Sequence, residues 1–217
     1  MTGNFAIVPV REFGESKQRL SRVLTSAQRA DLTLILLSKV LRELQYSLID
    51  QVILVAADAN EARKLVPSYS KLEIIEECIH HGGVNSAMRD GLRRIPQTRK
   101  TRVLLLPTDL PLITRSALDR AISLLDDYDV IINPSERKDG TNLLGFRAST
   151  PIELYYDNNS VTNHIAQAQK LNLRYLSIDW NEFATDFDDE EDLNTLMKIF
   201  EASNFQNLIQ RLRTVGN

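Results

Sequence analysis

Short apolar runs alternate with longer stretches of helical periodicity along most of the chain. The segments 5–10 (FAIVPV), 51–57 (QVILVAA), 103–106 (VLLL) and 130–133 (VIIN) are almost continuously apolar. Strands of this kind are buried on both faces, as in a parallel sheet covered by helices on each side. The pattern therefore predicts a three-layer α/β fold with a mostly parallel, Rossmann-like sheet.

The segments between these strands carry apolar residues at helical spacing. A long helix is predicted to start at Thr25, because Thr25 and Gln28 have the spacing of a capping box. Weaker strands are expected at 72–75, 143–146 and 173–178, and further helices at 59–65, in the segment after Gly83, at 114–125 and at 161–171. We predict a single domain over residues 1–200, followed by a C-terminal helical extension over 201–217.

Composition excludes several classes of protein. The formal net charge of the 217-residue chain is -3, which argues against a general nucleic-acid-binding protein. The single cysteine, Cys78, cannot form an internal disulfide, and no apolar run is long enough to cross a bilayer. We therefore expect a cytoplasmic protein with no nucleic-acid or membrane partner. A phosphorylated ligand stays compatible with this charge, since local Arg, Lys or a metal ion can neutralise phosphate.

Three polar loops follow predicted strands: the loop after Val10, the loop that contains Gly82 and Gly83, and the loop that contains Asp109. In open α/β sheets the ligand binds beyond the carboxyl ends of the strands. We therefore expect the three loops to converge on one side of the sheet.

Acidic residues in two of the segments are candidate metal ligands. Asp109 follows a buried strand, where it is either a turn former ahead of the next helix or a ligand for Mg²⁺. In TDFDDEEDL (185–193) an extended backbone would point Asp186 and Asp188 to one side and Phe187 into the core. Asp188 has an alternative role, because with Glu191 it has the spacing of a helix capping box.

Basic and small residues mark the other loops. Lys17 and Arg19 are either an exposed basic pair or a triphosphate site, and neither a P-loop nor a dinucleotide fingerprint is present. Gly82 and Gly83 form either a tight turn or a close approach of the backbone to a nucleotide. Asp139-Gly140 predicts a hairpin-like turn, while His164 is either a catalytic base or a structural residue packed on a helix.

Six short motifs together resemble one enzyme family. VPV followed by KxRL, then GGVNSAM, LPTDLPLI, DGTNLL, a Ser-x-x-x-His segment and TDFDDEEDL occur in the order and approximate spacing of the 2-phospho-L-lactate or phosphoenolpyruvate guanylyltransferases of coenzyme F420 biosynthesis. The resemblance covers roughly residues 5–200. It implies a glycosyltransferase-A-like nucleotidyltransferase fold, and a reaction in which the phosphate of a small acid attacks the α-phosphorus of GTP and releases pyrophosphate.

The resemblance also implies ligands and roles. It implies GTP and a small phosphorylated acid as substrates, Mg²⁺ as cofactor and a homodimer. The implied metal ligands are Asp109, Asp186 and Asp188, and the implied catalytic residues are Lys17, Arg19 and Asp109. The implied nucleotide-binding residues are Pro9, Val10, Lys17, Gly83, Asn85, Ser86 and Thr108, and the implied acid-binding residues are Thr141, Asn142 and Ser160.

One segment departs from the family pattern. YYDNNS places Asp157 where the family has a glycine in Phe/Tyr-Gly-Pro-Gly-Ser, and a carboxylate beside an anionic ligand is unfavourable unless it points away. The alternatives to this function are a sugar-phosphate or molybdopterin nucleotidyltransferase of the same fold, and a catalytically silent subunit that docks a partner through its C-terminal helix.

Overall fold

The computed structural model describes residues 3–79, 82–187 and Asp192. Seven strands occur in this part of the chain: β1 (Asn4–Val10), β2 (Gln51–Ala56), β3 (Leu72–Glu76), β4 (Arg102–Leu105), β5 (Val130–Pro134), β6 (Thr141–Arg147) and β7 (Tyr175–Ser177). The α-helices are α1 (Ser26–Tyr46), α2 (Ala59–Leu65), α3 (Gly83–Arg93), α4 (Arg115–Leu124), α5 (Ser160–Lys170) and α6 (Asn181–Ala184). None of these helices is both long and apolar enough to cross a membrane.

All seven strands form one sheet in the order β3-β2-β1-β4-β6-β5-β7. The pairs β1-β2, β1-β4, β2-β3 and β5-β7 are parallel, and β6 is antiparallel to both β4 and β5. The prediction of a mostly parallel sheet is confirmed, as is the hairpin-like turn before β6. Because β2 and β4 lie on opposite sides of β1, the carboxyl ends of β1 and β4 flank the point where the strand order reverses, which is where α/β sheets bind ligands.

Helices cover the sheet on both faces. One apolar cluster joins the sheet to α1 and α4 through fully buried residues such as Leu37, Leu118 and Ile122. The other cluster joins the opposite face to α3 and α5, for example through Met88 and Val161. These two clusters confirm the three-layer architecture.

The start of α1 follows the sequence pattern. Thr25 accepts a hydrogen bond from the backbone of Gln28, and the Gln28 side chain accepts one from the Thr25 backbone, so the predicted capping box forms. The short helix α6 was not expected from the sequence. Its Phe183 is fully buried, which anchors the chain just before the acidic segment.

A β-bulge lies near the start of β6. Asn133 of β5 pairs with Leu143, whereas the next residue, Pro134, pairs with Thr141, so Asn142 is the extra residue. Leu143 packs in the cluster on the α1 side, and a regular strand would turn Thr141 to that side as well. The bulge instead turns the Thr141 side chain toward His164 of α5, on the opposite face.

Two predictions lie outside the described residues. These are the C-terminal helical extension over 201–217 and the position of Asp188.

Candidate functional site

The three polar loops converge on one cleft at the carboxyl edge of the sheet, as predicted. The cleft has a volume of about 600 Å³, within the range of small-molecule sites. Among its lining residues are Pro9, Val10, Arg11, Lys17, Arg19, Gly83, Thr108, Asp109, Thr141 and Tyr156. Most of the residues predicted to bind nucleotide therefore line a single space.

The loop that carries Asp109 is held by apolar anchors on both sides. Leu106 and Leu110 are fully buried, and the Leu106 backbone N–H donates to the Ile7 carbonyl at 3.1 Å, which extends the β1–β4 pairing past the end of the strand. The Asp109 side chain keeps 17% of its surface exposed. The carboxylate therefore projects from a rigid loop into the mouth of the cleft.

Lys17 is the partner of Asp109. Its ammonium group forms an ion pair with the Asp109 carboxylate and also donates to the Phe187 carbonyl. The Lys17 side chain is only 7% exposed, so this charge is neutralised by contact rather than by solvent. One ammonium group thus joins the loop after β1, the loop after β4 and the acidic segment.

The acidic segment approaches Asp109 from the C-terminal side. Phe187 is buried, as predicted, and Asp186 beside it is half-buried. Within the part of the chain that the structure describes, no three His, Cys, Asp or Glu side chains form a group that could hold a metal ion. Mg²⁺ needs only one or two carboxylates when substrate phosphates complete its coordination, and Asp109 with the segment at Asp186 fits that smaller requirement.

The loop after β1, which carries Lys17 and Arg19, is joined to α1 by a buried arginine whose supporting role was not predicted from the sequence. Arg29 is 7% exposed, and its guanidinium donates to the carbonyls of Gly14 (3.2 Å), Ser16 (3.1 Å) and Leu24 (3.0 Å). Leu20, within the same loop, is fully buried. These contacts fix the backbone on both sides of Lys17.

The second loop enters α3 at Gly83, whose φ of 78° is in the left-handed region that favours glycine. Gly83 lines the cleft, but Asn85 and Ser86 are not among its lining residues. The Asn85 amide instead accepts from the Tyr156 backbone N–H at 2.8 Å and donates to the Asp157 carboxylate at 3.0 Å. The Asp157 carboxylate, which replaces a glycine of the family pattern, is therefore paired with the Asn85 side chain.

A chain of buried polar groups closes the other end of the cleft. Ser160 donates to the Thr141 hydroxyl at 3.1 Å, and Thr141 lies 3.0 Å from His164 Nδ1. The Tyr155 backbone N–H donates to His164 Nε2 at 3.1 Å. Burial lowers the pKa of His164 to about 4, so the imidazole is neutral at physiological pH.

The three residues predicted to bind an acid have different surroundings. Thr141 lines the cleft, whereas Ser160 supports Thr141 from behind. The Asn142 amide donates to the Ala184 carbonyl at 3.1 Å, because the bulge turns it away from Thr141. Asn142 thereby holds α6, and with it the acidic segment, against β6.

Two further cleft residues were missed at the sequence level. Arg11 directly follows β1 and adds a third cation to Lys17 and Arg19. The Tyr156 hydroxyl is buried and has no hydrogen-bond partner among the described residues. Its position four residues before Ser160, at the aromatic position of the family pattern, was an available signal.

A loop with three cations, the Asp109 carboxylate and the Thr141 hydroxyl line one cleft at the switch point of an α/β sheet, an arrangement suited to a nucleotidyltransferase. The structure of a nucleotidyl transferase from Methanothermobacter superposes with a TM-score of 0.67 at 14% identity, over 92% of this chain and 99% of the other. That likeness confirms the fold.

Sequence comparison gives the family. The chain belongs to the guanylyl transferase CofC-like family, whose model matches residues 4–215. A 2-phospho-L-lactate guanylyltransferase from Methanocaldococcus fervens is 32% identical over 88% of this chain and 83% of its own. A phosphoenolpyruvate guanylyltransferase from Rubrobacter xylanophilus is 30% identical over 88% of this chain and 92% of its own. The resemblance of the six motifs is thereby confirmed.

Proposed function

We propose that this protein transfers GMP from GTP to a small phosphorylated acid of the 2-phospho-L-lactate or phosphoenolpyruvate type, in coenzyme F420 biosynthesis. The observation that supports this most is the cleft itself, in which the Lys17–Asp109 pair and the Thr141 hydroxyl line one space. A charged end and a neutral hydroxyl end suit two substrates that must meet at a phosphorus atom.

The nucleotide belongs at the β1–α3 end of the cleft. Arg11, Lys17 and Arg19 line this end beside Glu12 and Glu77, and their N–H donors would bind the oxygens of a triphosphate. The first turn of α3 also lines it and has no side-chain cap, so its backbone N–H groups favour an anion. The acid belongs beside Thr141 and Tyr156, and the Tyr156 backbone contacts Asn85 of the first turn of α3.

Mg²⁺ is part of this proposal. Asp109 would hold it together with Asp186, and with Asp188, which lies outside the described residues. When bound, the ion neutralises charge on the phosphates and aligns them for displacement. Asp109 is suited to hold a cation because its loop is anchored by Leu106 and Leu110.

The chemistry requires positioning more than proton transfer. A phosphate oxygen of the acid forms a bond to the α-phosphorus of GTP, the bond from that phosphorus to the α–β bridging oxygen breaks, and pyrophosphate leaves with the electron pair. A phosphate monoester is already an anionic nucleophile, so no strong general base is needed. Lys17 and Arg19 stabilise the charge that develops on the leaving group.

The test is pyrophosphate release with GTP and Mg²⁺, with 2-phospho-L-lactate, phosphoenolpyruvate and 3-phosphoglycerate offered separately. We expect release with at least one of these acids and a guanylylated acid by mass spectrometry. ATP and CTP serve as nucleotide controls, and a sugar 1-phosphate tests the alternative acceptor of the same fold. The proposal would be overturned if pyrophosphate were released only with the sugar phosphate, or if it were released with none of the acceptors.

A further inference from the structure

The Thr141 hydroxyl lies next to two side chains that can donate hydrogen bonds to its oxygen. Its oxygen accepts a hydrogen bond from the Ser160 hydroxyl and lies 3.0 Å from His164 Nδ1. Thr141, Ser160 and His164 are all at least 95% buried, and Thr141 alone of the three lines the cleft. The direction of the bond between Thr141 and His164 can be derived from one backbone contact.

That contact is the bond from the Tyr155 backbone to His164. A backbone N–H only donates, so Nε2 of the neutral imidazole must accept and carries no proton. The single ring proton therefore resides on Nδ1 and points at the Thr141 oxygen. Thr141 thus accepts from both His164 and Ser160, and its own proton has no acceptor among the described residues.

We infer that His164 is a positioning residue, which fixes the Thr141 hydroxyl as a hydrogen-bond donor toward an anionic oxygen of the bound acid. This inference rests on the proposed function, since it requires the acid to bind at the Thr141 end. A Thr hydroxyl is otherwise free to rotate and can donate or accept. With two donors on its oxygen, the proton is directed away from both of them, and the cleft is where an acceptor can reach it.

Two substitutions of His164 separate this role from a structural one. In His164→Asn the side-chain amide occupies the place of Nδ1, so the donor to Thr141 remains and the acceptor for Tyr155 is lost. In His164→Gln the longer side chain brings its carbonyl to the place of Nε2, so the acceptor for Tyr155 remains and the donor to Thr141 is lost.

We expect the two variants to differ in KM for the acid. His164→Gln should raise that KM several-fold, because the Thr141 hydroxyl is no longer held as a donor, while KM for GTP is unchanged. His164→Asn should keep the wild-type KM for the acid more closely. The opposite order, or equal losses in KM for both substrates, would show that His164 only anchors the backbone at Tyr155 and would overturn the inference.

Val161→Ala is the matched control. Val161 is buried on the same helix, one turn before His164, and packs in the apolar cluster. Its truncation should lower the free energy of unfolding without a selective change in KM for the acid. Calorimetry of GTP and of the acid with wild type and with His164→Gln distinguishes this inference from the proposed function. Weaker binding of the acid alone in the variant supports the inference. If the wild type turns over none of the acids, the proposed function itself is rejected.

A separate observation assigns a role to Tyr156. Its hydroxyl is buried without a partner among the described residues, the residue lines the same cleft, and its ring packs edge-on against His164, with 5.2 Å between ring centroids. A buried unpaired hydroxyl costs free energy in the folded protein. The geometry points to Tyr156 as a second hydroxyl donor to the acid, which pairs this group only when the substrate is bound.

Tyr156→Phe tests this second proposal, because it should affect stability and acid binding in opposite directions. Removal of an unpaired hydroxyl should leave the free energy of unfolding unchanged or raise it, whereas KM for the acid should rise several-fold through a lost hydrogen bond. Tyr155→Phe is the control, since Tyr155 is exposed and its hydroxyl contacts Glu153. An unchanged KM for the acid in Tyr156→Phe would overturn the proposal.

Discussion

At the Lys17 end of the cleft opposite charges are in direct contact, whereas at the Thr141 end the buried polar side chains are neutral and joined by directed hydrogen bonds. The first arrangement tolerates motion of either group, because a charge attracts from any direction. The second specifies a single orientation of each hydroxyl. On the proposed function, phosphate groups would be attracted at one end, and the shape and acceptor positions of the acid would be recognised at the other.

The largest expected effect comes from breaking the charged end. Asp109→Asn should lower kcat by on the order of a hundredfold or more, because the proposed ligand for Mg²⁺ and the partner of the Lys17 ammonium are lost together. Steady-state pyrophosphate release measures this loss. Asp127→Asn, an exposed carboxylate elsewhere, is the control and should behave as wild type. Near-wild-type turnover in Asp109→Asn would contradict the site.

Arg29 provides the next test, because it holds the loop that carries Lys17 and has no hydrogen bond to the described groups around Thr141. Arg29→Met leaves the carbonyls of Ser16 and Leu24 without their side-chain donor, while Gly14 keeps only its bond from Ser26, which should lower the free energy of unfolding by roughly 1–3 kcal/mol. We also expect a rise in KM for GTP with little change in KM for the acid. Urea denaturation and initial rates measure the two effects.

The control for Arg29 is Arg22→Met, because Arg22 is an exposed arginine of the same loop. It should alter neither stability nor KM. Equal increases in both KM values for Arg29→Met would mean that the two ends are not independent.

The neutral end can be tested by pH. Burial lowers the pKa of His164 to about 4, against about 6.5 in the unfolded chain, so between these values the unfolded state binds a proton that the folded state excludes. This contribution to stability is complete above pH 6.5 and decreases as pH falls toward 4, by roughly 3 kcal/mol in total. The neighbouring Tyr156 phenol stays neutral throughout, because burial raises its pKa.

The measurement compares urea unfolding of wild type and His164→Asn from pH 7 down to pH 4. Carboxylates titrate in both proteins, so the difference between the two curves isolates His164. A pH-independent difference would show that the imidazole is not excluded from protonation.

The smallest expected effect concerns Asp157, an exposed carboxylate next to Tyr156 that is hydrogen-bonded to Asn85. Asp157→Asn keeps an acceptor for the Asn85 amide and removes one negative charge near the acid end. KM for the acid should fall by about twofold at low ionic strength and return to the wild-type value in high salt, because exposed charges are screened. A larger, salt-independent change would place the Asp157 carboxylate in direct contact with the substrate.

Much of the fold could be predicted from local patterns, because each depends on neighbours in sequence. The continuous apolar runs gave β1, β2 and β5 within a residue or two, and Thr25 with Gln28 gave the start of α1. The convergence of the three loops followed from parallel strand direction alone.

What could not be predicted depends on register and on distant contacts. The bulge at Asn142, which turns Thr141 toward α5, follows from how β5 pairs with β6. Arg29 was invisible as a support because an arginine on a helix is normally exposed, and only the folded loop supplies the three carbonyls that make its burial favourable.

The contacts of Lys17 have a consequence for how the protein folds. The ammonium group joins residues that are 92 and 170 positions away along the chain. Contacts over such separations require large loops to close and form slowly, after local structure is in place. The charged end of the cleft is therefore completed only when the first and last described parts of the domain have met. The individual helices and the β1–β2 and β2–β3 pairings require only shorter loops, so a newly made chain can form them before its reactive end is complete.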